Sequence, residues 1–154
     1  MDVWYFAYGS NLFREQMIER TGAIGHVDHP PRVARLSGYR LVFQTLEESG
    51  PAFANIRRSD DEVHGAVYRC SPAHFSRLDE YESGYERLAI SVCDEYGELL
   101  DAVAYVITPA QPARFGRPGD EYLERIVTGA RQHGLPESCI EKIIAAARGE
   151  SLET

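Results

Sequence analysis

Hydrophobic and polar positions alternate most regularly between residues 62 and 70, and this repeat of two is typical of a half-buried strand. A polar turn is expected before it at residues 59–61, and a hairpin turn at residues 94–97. Loops are predicted at residues 47–51 and 109–119. Apolar or alternating runs predict five further extended segments at residues 3–8, 32–44, 52–57, 85–93 and 99–108.

Four segments carry the signals of helices. The first helix takes Ser10 or Asn11 as its N-cap, the second begins at Ser71 with proline in its first turn, and Asp120 caps the third. The predicted helices cover residues 12–20, the segment from Ser71 towards Gly84, residues 120–133 and residues 137–148. Strands and helices do not alternate regularly. The order therefore favours a compact α+β (mixed α/β) domain over residues 1–154, with a partly closed antiparallel or mixed sheet flanked by helices.

The composition narrows the classes of function. The chain carries 16 basic and 24 acidic residues, a formal net charge of −8, which argues against nucleic acid as a partner. Its three cysteines form no CxxC motif and its five histidines lack metal-ligand spacing, so we expect no disulfide, metal or cofactor. No apolar run reaches membrane-spanning length and no targeting pattern is present, which predicts a cytoplasmic protein without a membrane partner.

The first candidate for chemistry lies where the first predicted strand ends, in the sequence Tyr-Gly-Ser-Asn-Leu at residues 8–12. A glycine turn between a buried strand and a helix leaves backbone N–H groups unpaired. Such groups can hold an anion or a developing negative charge. Most turns of this kind only cap a helix, so the turn alone does not establish a site.

The second candidate is the carboxylate of Glu82, at the end of the helix that begins at Ser71. The helix C-terminus and the neighbouring Asp79 and Glu80 disfavour ionisation of this carboxylate. We therefore expect a raised pKa and a role as acid or base. The alternative is an exposed carboxylate at a helix end, since charged side chains mostly lie in solvent.

Five motifs occur in order over nearly the whole chain. They are Tyr-Phe-Ala-Tyr-Gly-Ser-Asn-Leu at residues 5–12, Leu-Asp-Glu-Tyr-Glu at 78–82, Gly84-Tyr85 with Arg87, Ala-Tyr-Val-Ile at 104–107, and a segment at 122–136 that ends in His-Gly-Leu-Pro. Together they resemble the γ-glutamylcyclotransferase-like (AIG2-like) family. One position departs from the family pattern, because Ser83 follows Glu82 where members often have glycine. The link to Tyr85 is also short, and this bears on the choice of substrate more than on the type of reaction.

The resemblance implies a barrel-like mixed fold and a reaction in which a γ-glutamyl group cyclises to 5-oxoproline and releases an amine. The substrate's own α-amine attacks its γ-carbonyl, so a proton carrier is needed and an enzyme nucleophile is not. The resemblance assigns the proton transfers to Glu82 and oxyanion stabilisation to the backbone of residues 9–11. The substrate-binding residues that it implies are Tyr8, Gly9, Ser10, Asn11, Leu12, Tyr85 and Tyr105.

Several alternatives stay open from the sequence. For the three tyrosines the alternative is packing with a satisfied hydroxyl. Water activated by Glu82 is an alternative attacking group, and the product would then be free glutamate. A non-catalytic binding module with the same fold is the third possibility, although such a module has no need of a proton carrier. The expected partner is a small γ-glutamyl molecule, and the chain is expected to be a monomer or a homodimer. Asn55 is a further candidate for binding a ligand carboxylate, with a role in a turn or at a sheet edge as the alternative.

Overall fold

A computed structural model describes residues 2–22, 30–46, 50–108 and 113–149. In chain order its elements are β1 (Val3–Ala7), a 3₁₀ turn (Ser10–Leu12), α1 (Arg14–Thr21), β2 (Arg32–Thr45), β3 (Phe53–Cys70), α2 (Pro72–Asp79), β4 (Glu86–Asp94), β5 (Leu99–Val106), β6 (Arg114–Phe115), α3 (Asp120–Gln132) and α4 (Glu137–Ala147). Parts of both predicted loops, residues 47–49 and 109–112, lie outside the described residues.

Five of these strands close into a barrel. Their order is β3-β1-β5-β4-β2, and β2 also pairs with β3, which completes the ring. β1 and β5 run parallel, and the other neighbours in the ring run antiparallel. β6 pairs with the end of β2 through Gln44 opposite Phe115, so the predicted loop at residues 109–119 is wrong at this point. The predicted mixed, barrel-like sheet flanked by helices is confirmed.

The polar turn predicted at residues 59–61 is wrong, because β3 runs through this stretch without a break. β2 pairs with β3 on both sides of it, and the shift in register is a bulge in which residues 59–61 stand opposite the single residue Gly38, which has a φ of +87°. The polar side chains belong to an outward-facing part of a long two-stranded ribbon. There Asp61 accepts a hydrogen bond from Lys142 Nζ at 2.6 Å. The polar composition of this stretch therefore reflects its place in the outward-facing ribbon and not a change of chain direction.

The first helix begins later than predicted. The glycine turn continues as the 3₁₀ turn Ser10–Leu12, and Phe13 holds the N-cap position of α1 in place of Ser10 or Asn11. The side chains of Ser10 and Asn11 are engaged elsewhere, since both accept hydrogen bonds from Gln16 Nε2, at 2.8 and 2.9 Å. The two expected caps therefore bind the side chain of Gln16 and do not cap the helix.

The helix start predicted at Ser71 is confirmed. Ser71 Oγ accepts a hydrogen bond from the His74 N–H at 3.2 Å, and His74 Nδ1 accepts one from the Ser71 N–H at 3.0 Å. This reciprocal cap fixes where α2 begins and hence where its C-terminal end meets the barrel. Asp120, in contrast, is the first residue of α3 and not its cap, a position that Gly119 holds without a side-chain bond.

Helix α3 comes unusually close to the glycine turn. A Cβ atom on Gly129 would stand 2.3 Å from the Leu12 carbonyl carbon and 2.4 Å from the Phe13 nitrogen. No real Cβ atom tolerates such distances, so only glycine lets the helix approach this far. The glycine turn therefore continues from β1 on one side and packs directly against α3 on the other. Within the four described ranges, no helix is long and apolar enough to cross a membrane.

Candidate active site

A cavity of about 430 Å³ lies beside the glycine turn, within the usual range of small-ligand sites of about 300–1,000 Å³. It brings together seven of the eight predicted site residues, namely Tyr8, Gly9, Ser10, Asn11, Glu82, Tyr85 and Tyr105. The other lining residues are Tyr5, Gln16, Arg20, Phe53, Ala54, Tyr81, Ser83, Tyr122 and Arg125. Leu12, the eighth, lies fully buried behind the turn and does not line the cavity.

The glycine turn forms one wall because β1 feeds straight into it. A Cβ atom on Gly9 would lie 3.3 Å from the Ala54 Cβ and 3.5 Å from the Tyr122 hydroxyl, so the turn sits tightly against the start of β3. The Leu12 N–H bonds the Gly9 carbonyl at 3.0 Å. Among the described residues, the N–H groups of Gly9, Ser10 and Asn11 then have no main-chain acceptor outside the regular helix and strand bonds.

The carboxylate of Glu82 lies across the cavity, just beyond the end of α2. The chain turns there, with the Tyr85 N–H bonded to the Glu82 carbonyl at 3.0 Å and Gly84 at a φ of +87°. Burial raises the pKa of Glu82 to about 7; the nearby positive charge of Arg20 opposes this and the negative charge of Asp79 adds to it. The raised pKa matches the expectation from sequence. Its main cause, however, is desolvation and not the helix end.

The amide of Asn11 is held with its nitrogen towards Glu82. Its Oδ1 accepts hydrogen bonds from Gln16 Nε2 at 2.9 Å and from Arg20 Nη1 at 3.1 Å. Its Nδ2 donates to the Tyr5 hydroxyl at 2.9 Å and, over a long 3.5 Å, to Glu82 Oε1. Because Gln16 and Arg20 both donate to Oδ1, the amide cannot be turned over: its NH₂ group would then face two N–H donors and no acceptor.

Gln16 organises this wall, a role that is not evident from the sequence. Besides its two bonds to Ser10 and Asn11, its Oε1 accepts a hydrogen bond from Arg125 Nη1 at 3.0 Å. Arg125 in turn pairs with Glu121 one helical turn earlier, at 2.9 Å. A chain of side chains thus links α3 to the glycine turn. The only sequence signal for Gln16 was its place near Leu12 on one side of the predicted helix, which does not distinguish a site residue from a packing residue.

The predicted tyrosines line the cavity with their rings, while their hydroxyls bind the protein. Tyr8 donates to the Tyr105 carbonyl at 2.5 Å, and Tyr85 donates to the Ala54 carbonyl at 2.6 Å. Tyr105 donates to Asp79 Oδ1 at 2.6 Å. Burial raises the pKa of all three phenols well above the usual range, so they stay neutral. They shape the site rather than exchange protons.

Tyr122, which the sequence analysis placed only in a family motif, completes this wall. Its hydroxyl accepts a hydrogen bond from the Ala54 N–H at 3.0 Å, next to the Tyr85 bond to the same residue. Asn55, the next residue of β3, does not line the cavity. It is fully buried, donates to Gln44 Oε1 at 2.8 Å and accepts from the Ile107 N–H at 2.9 Å, which is a role in the sheet.

A second polar group supports the turn from behind. The Tyr68 hydroxyl donates to the Asn11 carbonyl at 3.1 Å, and His133 Nε2 lies 3.0 Å from the Leu12 carbonyl and 2.9 Å from the Tyr68 hydroxyl. Burial lowers the pKa of His133 to about 4, so the ring is neutral at physiological pH. A neutral ring with its proton on Nε2 satisfies both oxygen neighbours, which fixes the turn's carbonyls away from the cavity.

No group of three or more His, Cys, Asp or Glu side chains could hold a metal ion anywhere in the described residues. The site thus combines one half-buried carboxylate of raised pKa, the main chain of the glycine turn and a lining of neutral phenol rings. Such a set can move protons and stabilise an oxyanion.

A sequence profile described as "Gamma-glutamyl cyclotransferase, AIG2-like" matches residues 5–124. The chain belongs to this γ-glutamyl cyclotransferase, AIG2-like family. It is similar to the γ-glutamylcyclotransferase of Mus musculus, with 33% identity over 95% of this chain and 79% of that protein. It is likewise similar to the Homo sapiens γ-glutamylcyclotransferase, with 32% identity over 92% of this chain and 77% of that one.

Solved structures agree with this family assignment. A structure named "Gamma-glutamyl cyclotransferase" superposes with a TM-score of 0.80 at 28% identity, covering 94% of this chain and 88% of the other. The Bacillus subtilis protein YkqA gives a TM-score of 0.81 at 22% identity, over 97% of this chain and 55% of that one. At this low identity, the similarity to YkqA shows a shared fold and nothing more. The family's barrel is therefore common to proteins of quite different length.

Proposed function

We propose that this chain is a γ-glutamyl cyclotransferase that converts a γ-glutamyl amide to 5-oxoproline and a free amine. The observation that carries the proposal is the carboxylate of Glu82, which has a pKa of about 7 and faces the glycine turn across the cavity. A carboxylate with this pKa exists in both protonation states near neutrality, as a group that first accepts and then donates a proton must.

The reaction joins two atoms of one substrate. The α-nitrogen forms a bond to the γ-carbon, and the bond between that carbon and the leaving nitrogen breaks. Two protons depart from the α-ammonium group and two arrive on the leaving nitrogen, which departs as an ammonium ion. Glu82 carries these protons one at a time, so it ends in its starting state. No enzyme nucleophile takes part.

The other residues of the site are proposed to bind and orient the substrate and to stabilise its charges. The γ-carbonyl oxygen becomes negative on attack, and the N–H groups of Ser10 and Asn11 are the donors proposed to stabilise it. The guanidinium of Arg20, beside Glu82, supplies the positive charge for the substrate's α-carboxylate. The neutral rings of Tyr8 and Tyr85 close off water, which favours attack by the α-amine over hydrolysis.

Identification of the product tests this reaction. The purified protein is incubated with γ-glutamyl dipeptides in ¹⁸O-labelled water, and the products are followed by mass spectrometry. We expect unlabelled 5-oxoproline together with the free amino acid. Labelled glutamate would show that water attacks and that the chain is an amide hydrolase. Binding of the dipeptides without either product would identify a non-catalytic module.

We further propose a cytoplasmic location. Cys70, Cys93 and Cys139 are all free thiols in the structure, as expected for a reducing compartment. Localisation of a tagged full-length chain by fractionation tests this. The prediction of a monomer or homodimer is tested separately, by light scattering of the purified protein.

A further inference from the structure

We infer that the preferred leaving group is an amino acid with a large apolar or aromatic side chain, whose carboxylate binds Arg125. This inference rests on the proposed function and names the substrate class of the same site. It concerns the outer part of the cavity, the mouth, which is defined by Phe53, Tyr81, Ser83 and Arg125. These four are the cavity-lining residues classed as exposed to solvent.

The orientation of the substrate follows from the depth of the reacting groups. Asn11, Ser10 and Gln16 are buried and Glu82 is half-buried, so the γ-glutamyl part must enter first. The γ-amide bond has to reach Glu82 and the turn. The group beyond that bond is then left at the mouth, where it meets a different set of side chains.

Two aromatic rings stand exposed at the mouth. Phe53 is 44% exposed and Tyr81 is 52% exposed, although both rings carry large apolar surfaces. Phe53 packs edge-on against Tyr122, with ring centroids 5.1 Å apart at 88°, and the guanidinium of Arg20 lies 4.5 Å from the centre of the Tyr81 ring. The contacts hold both rings in place without covering them. Apolar surface of this kind, continuous with a ligand cavity, is suited to an apolar group of the ligand.

The mouth also carries a cation. The side chain of Arg125 is 43% exposed, and two of its five N–H groups bond Gln16 and Glu121. Both bonds fix the guanidinium beside the cavity, and Glu121 itself lies largely in solvent, with 82% of its side chain exposed. A guanidinium held beside the cavity in this way can bind a carboxylate through its fork of N–H donors.

A set of four substrates separates the two features. γ-Glutamyl-phenylalanine has both the ring and the carboxylate, γ-glutamyl-alanine lacks the ring, γ-glutamyl-phenethylamine lacks the carboxylate, and γ-glutamyl-ethylamine lacks both. Formation of 5-oxoproline gives kcat/KM for each. We expect the phenylalanine derivative to exceed the alanine derivative at least about tenfold, and each carboxylate to add a further several-fold.

Variants then assign each preference to its residue. Phe53→Ala is expected to reduce the phenylalanine-to-alanine ratio of kcat/KM about fivefold or more. Arg125→Met is expected to reduce the ratio of each amino acid derivative to its amine counterpart, whatever its general effect through Gln16. Leu99→Ala removes an equally apolar side chain, 75% exposed on β5 and outside the cavity lining, and should leave both ratios unchanged.

The possible outcomes distinguish the inference from the function on which it rests. Equal turnover of all four substrates, or ratios that neither variant changes, would overturn the inference and leave the cyclotransferase function standing. Absence of 5-oxoproline from all four would overturn both. A preference for the ring that Phe53→Ala abolishes, together with a preference for the carboxylate that Arg125→Met abolishes, would establish the inference.

Discussion

Replacing Glu82 by Gln should abolish turnover and yet make the protein more stable above neutral pH. Burial raises the pKa of Glu82 from its ordinary 4.5 to about 7. Between these two values the folded state keeps a proton that the unfolded state has lost, so folding stability falls as the pH rises through this window. Above pH 7 the full cost of ionising a buried carboxylate is present. A neutral glutamine bears no such cost.

The size of the effect follows from the two pKa values. Their difference of about 2.5 corresponds to about 3 kcal/mol, at about 1.4 kcal/mol for each pH unit. Glu82 is only half-buried, so solvent screening reduces the expected gain to about 1–2 kcal/mol. For a domain of this size that corresponds to about 3–6 °C in Tm. At pH 4 the two proteins should be equally stable, because Glu82 is then protonated in both states.

Urea denaturation at pH 4, 6 and 8 measures this difference directly. The matched control is Glu86→Gln, which removes a carboxylate from an exposed position at the start of β4 and should show no comparable dependence on pH. A Glu82→Gln protein that is equally stable or less stable than the wild type at pH 8 would refute the burial of a costly charge. The carboxylate of Glu82 would then be an ordinary surface group.

Three further predictions concern the support of the site. Gln16→Met removes the Nε2 donor that holds the Asn11 amide beside Glu82, so the pKa of Glu82 should rise. The ascending limb of the pH profile of kcat/KM should therefore move up by about 0.5–1 pH unit, with Tm little changed. Gly129→Ala forces α3 off the glycine turn and should cost about 2–4 kcal/mol in the free energy of unfolding, measured in urea, together with most of the activity. His133, with its pKa lowered from 6.5 to about 4, favours the fold at neutral pH and loses this contribution as the pH falls through that window. Wild-type stability should therefore fall by about 1–2 kcal/mol more than that of His133→Gln between pH 6.5 and 4; equal losses would contradict the assigned pKa.

Local signals in the sequence were enough to place the main parts of the site. The apolar run before Gly9 and the proline behind Ser71 act within a few residues, and the structure forms a strand end and a helix start at these points. Motif order then supplied what local signals could not, namely that Glu82 and the turn belong to one site although they lie some seventy positions apart.

The parts that the sequence did not reveal depend on contacts between distant segments. Gln16 matters because the 3₁₀ turn aims Ser10 and Asn11 at it, and Tyr122 matters because it meets the start of β3. The polar residues 59–61 led to a wrong prediction of a turn, because a polar turn and a solvent-facing stretch of strand have similar compositions. The cause of the raised pKa was misjudged for a similar reason, because burial is a property of the packed molecule.

The proposed reaction depends above all on Glu82 as the carrier of protons. The most direct test is the rate of 5-oxoproline formation by Glu82→Gln and by wild type, at saturating γ-glutamyl substrate and pH 7, with Glu86→Gln as the control. We expect a loss of at least about 10²–10⁴-fold for Glu82→Gln, in a protein that melts no lower than the wild type, and no loss for the control. A Glu82→Gln protein that keeps its rate within a few-fold of the wild type would contradict the claim.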